Sequence, residues 1–68
     1  MLKNHNHDLV QQLSEISDSL WRLEDYKKAS EGCATCSIMW AKFYKDYEDH
    51  TKMLADEIKR HVNENRFD

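Results

Sequence analysis

Leu9, Leu13, Ile16, Leu20 and Leu23 recur at steps of 4, 3, 4 and 3, which places them on one stripe of a helix; a half-buried strand would alternate instead. A second stripe, Cys36, Trp40, Phe43, Tyr47, His50, Leu54, Glu57 and His61, keeps the same rhythm over eight positions. Between the two stripes lies Gly32, in a chain with one glycine and no proline. Helix-breaking chemistry is thus confined to one place, and the pattern predicts two helices and one turn. Asp8 with Gln11 fits a capping box, in which a carboxylate accepts an orphan amide and an amide side chain reaches back. That predicts helix one over about 9–31, with Gly32 as its left-handed cap, a turn over about 32–35 and helix two over about 36–64. Thr35 or Ser37 is the expected cap of helix two. The polar tail from Asn63 to Asp68 is expected to fray.

The fold class expected is therefore all-α, an antiparallel two-helix hairpin forming a single domain. With the turn near Cys33, residues whose numbers sum to roughly 66 lie side by side across it. Apolar residues also flank the stripes: Val10 and Trp21 on the first helix, Met39, Met53, Ile58 and Val62 on the second. Two helices offer no third surface for that width. Pairing of hairpins into a four-helix bundle, or a multiple of such dimers, is the expected remedy. The interface expected comprises Leu13, Ile16, Leu20, Trp21, Trp40, Phe43, Tyr47 and Leu54. Acid-first pairs at i,i+4, Asp18 with Arg22, Glu24 with Lys28, Glu48 with Lys52 and Asp56 with Arg60, read as solvated helix faces.

At 68 residues, the chain hides only about 60% of its unfolded surface on its own, so a partner, a metal or a staple is expected to support it. A net charge of -3, with both signs mixed, points away from nucleic acid. No apolar run approaches the roughly 18 residues that span a bilayer, and the start lacks the apolar core of a secretory signal. The cytoplasm is the expected compartment, one in which Cys33 and Cys36 stay reduced.

Two constellations carry candidate chemistry. Cys33-Ala34-Thr35-Cys36 opens helix two, where amide donors and the macrodipole favour a thiolate. Gly32-Cys33-x-x-Cys36 resembles the corresponding stretch of the alkylhydroperoxidase and carboxymuconolactone decarboxylase-like family, where such a pair opens a helix. That family has a histidine four residues past the second cysteine; here Trp40 stands there, and the activity is not carried over. Two chains meeting turn to turn would alternatively supply four thiolates to zinc, and the plainest use of the cysteines is a core position for Cys36 with Cys33 in the turn.

The second constellation is polar residues on an apolar stripe. His50, Glu57 and His61 occupy seam positions where leucine is expected, and buried charge must be paired or ligated. Asp46 with His50, and Glu57 with His61, could each present two ligands from i and i+4 to one ion, with a two-fold axis supplying the rest. Hydrogen-bonded or solvent-facing histidines are the ordinary alternative. His5 and His7 are expected on a flexible terminus, with His61 within reach. The run Asp46-Tyr47-Glu48-Asp49-His50 is similar to the acidic stretch ending in histidine on the metal helix of ferritin-like two-helix proteins, including those stored in encapsulin shells. The resemblance implies a dimeric four-helix bundle binding iron at its seam. It also implies a glutamate on the first helix, for which Glu15 has the right height, and one three residues before the histidine, where this chain has Tyr47.

A two-helix hairpin is not expected to enclose the pocket of about 300 Å³ that an enzyme uses, so catalysis by the lone chain is not expected. The readings are, in order, an oligomerising interaction or accessory protein, a ferritin-like bundle binding iron or another divalent metal, and a dithiol or zinc-stapled device.

Overall fold

The protein is an all-α helical hairpin. The computed structural model describes residues 2–68, and two helices account for most of them: α1 spans Asn4–Ala29 and α2 spans Ala34–Asn63. At 1.5 Å per residue a 30-residue helix is about 45 Å long, which sets the 50 Å long axis of a molecule only 18 and 12 Å across. Its Cα radius of gyration is 15.4 Å, against about 11 Å for a compact globule of this length. The shape is a rod. Among the described residues no helix is long and apolar enough to cross a membrane.

The turn is built by side chains that satisfy backbone. Ser30 caps the end of α1, its Oγ donating to the Lys27 carbonyl at 2.7 Å. Gly32 takes φ +92, a left-handed conformation open to glycine and strained for residues with a Cβ. The chain then enters α2 with Cys33, not Thr35 or Ser37, as the N-cap: its Sγ accepts the Cys36 N–H at 3.3 Å. Ser37 instead faces back across the turn, with its Oγ 3.1 Å from that of Ser30. The two serines tie the helices at their closest sequence approach.

The far end departs further from expectation. α1 begins at Asn4, ahead of the anticipated Leu9, with Lys3 as N-cap and no side-chain cap. The Asp8–Gln11 box does not form; Gln11 Nε2 donates to Glu15 Oε1 at 2.9 Å. Nor does the tail fray. α2 closes with Asn65 at φ 57, the Asn65 N–H donating to the Val62 carbonyl at 3.1 Å and the Arg66 N–H to the His61 carbonyl at 2.8 Å. This is a Schellman closure, and it folds the last residues back over the start of α1. There the Lys3 N–H donates to the Asp68 carbonyl at 2.6 Å, and Asn6 Nδ2 donates to the carbonyls of Arg66 at 2.8 Å and Asp68 at 3.0 Å. Contacts from 60 to 65 residues away thus hold the start of α1, five residues ahead of Leu9.

Between these ends the apolar core is thin. Only Ile16 and Leu23 are buried apolar side chains among the described residues, while Leu9, Leu13, Leu20 and Leu54 are half-buried. The anticipated acid-first pairs are replaced by others. Lys42 bonds Asp46 at 2.6 Å, Lys45 bonds Asp49 at 2.8 Å and Lys52 takes Asp56 at 3.0 Å, leaving Arg60 to Glu57 and Glu64. Lys52 and Arg60 have acids on both sides along the helix, so local sequence leaves their choice open, whereas Lys42 and Lys45 have acids only on the C-terminal side. All are exposed pairs of the kind worth up to about 1 kcal/mol.

Candidate functional site

The proposed metal ligands are distributed, not gathered. His50 and Glu15 are exposed, and Asp46 is held by Lys42. His61, expected at a fraying or ligating edge, is 1% exposed. Its Nδ1 lies 2.8 Å from Asn6 Oδ1 and its Nε2 lies 3.0 Å from Glu57 Oε2, with Arg66 Nη2 3.4 Å away. Both ring nitrogens are therefore occupied. The Glu57 carboxylate is shared between His61 and Arg60, whose guanidinium engages both its oxygens. Arg60 first, and His61 after it, hold the Glu57 carboxyl below its ordinary range. No cluster of three or more His, Cys, Asp or Glu side chains suited to a metal occurs among the described residues.

What assembles instead is a polar lock. His5 lies on α1, not on a free terminus, with its ring 5.0 Å from that of His61. Asn6 is 2% exposed, and its amide spends both ends on partners, His61 on one side and two tail carbonyls on the other. No buried side-chain nitrogen or oxygen among the described residues lacks a partner, which is the condition for a buried polar group to be tolerated. Asn6 was the residue that pattern reading missed. Its signal was present: 6 and 61 sum to 67, the register that pairs facing positions of the hairpin.

Toward the turn the same seam is aromatic. Tyr26 of α1 meets Trp40 of α2 with centroids 5.1 Å apart, Trp40 meets Phe43 edge-on at 5.4 Å, Phe43 meets Tyr47 at 6.3 Å and Tyr47 meets His50 at 6.2 Å. These spacings are those of favourable aromatic pairs. The ladder is not covered: Tyr26 and Phe43 are each 42% exposed, and Trp40 and Tyr47 are half-buried. It runs on into a groove of about 450 Å³ lined by Leu9, Gln12, Ile16, His50, Met53, Leu54 and Glu57. That groove is larger than a two-helix hairpin was expected to offer, and it is open along one side of the rod. Trp21, assigned to the same interface, lies beside Leu20 and Tyr44 in a separate shallow cleft. At 74% exposed it contributes little to the core of its own chain.

The dithiol sits at the tip. Cys33 and Cys36 are free and half-buried. The neighbouring Cys36 thiol, the Thr35 hydroxyl 3.5 Å away and the Cys36 N–H, which donates to the Cys33 sulfur at 3.3 Å, lower the Cys33 pKa from 9.0 to about 7. The Cys33 thiol in turn raises that of Cys36. Stabilising a thiolate at a helix N-terminus is the expected direction. Cys36 also borders a shallow cleft of about 300 Å³ with Tyr26, Ala29, Ser30 and Trp40. No family model, curated protein or solved structure matches the chain, so the functional reading rests on its own residues.

Proposed function

We propose that this protein is a non-enzymatic, self-associating interaction module, in which two hairpins pair along the aromatic ladder and the adjoining groove to complete a four-helix bundle. The observation that carries this reading is the uncovered ladder: with two buried apolar side chains among the described residues, the chain leaves Tyr26, Phe43 and Met53 facing water along one side. The hairpin exposes 5244 Å², roughly 700 Å² more than the about 4,500 Å² expected of a compact monomer of its mass. A standard interface buries about 800 Å² per partner. The excess is thus of the size that one interface removes.

A second copy is the occupant favoured by stoichiometry and symmetry. An isologous contact about a two-fold axis presents the same patch twice, so each aromatic side chain covered also covers another. The small net charge of -3 opposes such pairing only weakly. Analytical ultracentrifugation of the full chain at micromolar concentration tests the proposal. The wild type should sediment as a dimer or a multiple of dimers, and Phe43→Glu should weaken association by at least about 10-fold, because it places a charge in the apolar centre. A cooperatively folded wild-type monomer at that concentration overturns it. So does a Phe43→Glu variant that associates as well as the wild type.

A further inference from the structure

The tip of the hairpin is chemically separate from the ladder and has a use of its own. We propose that Cys33 and Cys36 form a thiol–disulfide exchange site that reduces accessible low-molecular-weight disulfides, with Cys33 attacking and Cys36 resolving. The geometry assigns the roles unequally. Cys33 is the helix N-cap; its sulfur accepts the Cys36 N–H at 3.3 Å and lies 3.5 Å from the Thr35 hydroxyl. Negative charge on that sulfur is already solvated by the fold. Cys36 lies three residues on, in the first turn of α2, the i,i+3 placement that makes two side chains neighbours on a helix.

Cys33 and Cys36 are both half-buried, and Gly32, Ala34 and Thr35 beside them are exposed, so the thiol pair lies at the surface of the tip. The cleft formed by Tyr26, Ala29, Ser30, Cys36 and Trp40 takes Cys36 into its wall and provides a surface on which one half of a disulfide can rest.

The electron balance closes without a metal or cofactor. The Cys33 thiolate attacks one sulfur of the substrate disulfide; a new bond forms between them, the substrate S–S bond breaks, and one thiolate leaves and takes up a proton. Cys36 then gives its proton to solvent and attacks the Cys33 sulfur. The Cys33–Cys36 bond forms, the mixed disulfide breaks, and a second thiol is released. The dithiol is oxidised by two electrons and the substrate is reduced by two.

The lowered pKa of Cys33, about 7 against an ordinary 9.0, sets the expected rate. At pH 7 it raises the thiolate fraction about 50-fold, and weaker intrinsic nucleophilicity returns about 6- to 10-fold of that, leaving roughly a five- to eightfold advantage. The test uses the full-length chain and oxidised glutathione. Wild type should release two glutathione thiols per chain and end with an intramolecular disulfide. Cys36→Ser, which keeps a hydrogen-bond donor beside Cys33, should release one and retain glutathione on Cys33. Cys33→Ser should react at least about fivefold more slowly than Cys36→Ser. Equal rates for the two variants, a wild type that stops at the mixed disulfide, or a disulfide formed between chains would each overturn the proposal.

Discussion

The two ends of this hairpin solve the same packing problem with opposite chemistry. Near the termini, Asn6, His61, Glu57 and the carbonyls of the folded-back tail satisfy one another, and no buried side-chain nitrogen or oxygen among the described residues is left unpartnered. Near the turn, Tyr26, Trp40, Phe43 and Tyr47 stack along the seam and remain partly in water. Hydrogen bonds are directional and saturable, so the polar end is closed once its partners are found. Apolar burial is neither directional nor saturable, and an uncovered aromatic gains from any further surface brought to it. The difference teaches where the molecule is finished and where it is free to associate.

If the polar end is a closed lock, removing its keystone should have the largest effect. Asn6→Ala leaves His61 Nδ1 and the Arg66 carbonyl without their partner, while the Asp68 carbonyl keeps the Lys3 N–H; at about 1–3 kcal/mol for a buried group so orphaned, a loss of about 2–4 kcal/mol is expected by urea denaturation. Amide exchange near Lys3 and Arg66 should accelerate at the same time. A cost below about 0.5 kcal/mol would show that the lock holds nothing.

The turn should yield less to a comparable insult. Gly32→Ala meets no steric neighbour but must hold a left-handed backbone, which costs a residue with a Cβ about 1–2 kcal/mol. Thermal unfolding followed by circular dichroism checks this value, and the ordering against Asn6→Ala is the sharper comparison.

Acid should act on the polar end with the smallest and most graded effect. Arg60 and then His61 lower the Glu57 carboxyl from 4.5, and Arg66 followed by Arg60 lowers that of Glu64. A carboxyl depressed by folding contributes stability that is complete above its unfolded pKa, here about 4.5, and is lost as pH falls through the folded value. Stability measured from pH 7 downward should therefore hold to about 5 and then decline. Glu57→Gln should flatten that decline, and added salt should reduce it, since both groups are partly exposed and screened.

Much of this architecture is legible in the order of residues. The 4,3 spacing of Leu9 to Leu23 and of Cys36 to His61 encodes two helices, and Gly32 marks the bend, because these depend on neighbours within a turn or two of helix. The chemistry of the tip was partly legible too: the spacing of Cys33 and Cys36 announced a dithiol, but Cys33 as the cap of α2 emerged only from the three-dimensional turn. The role of His61 was beyond local pattern. Whether a histidine on a seam ligates, frays or locks depends on what faces it, and Asn6 lies 55 residues away. The same holds for the start of α1, which the tail sets from the opposite end of the chain. Periodicity fixes which side of a helix is apolar. Only the packing of one helix on the other decides how much of that side is covered, because two cylinders touch along a line and leave the flanks of both open.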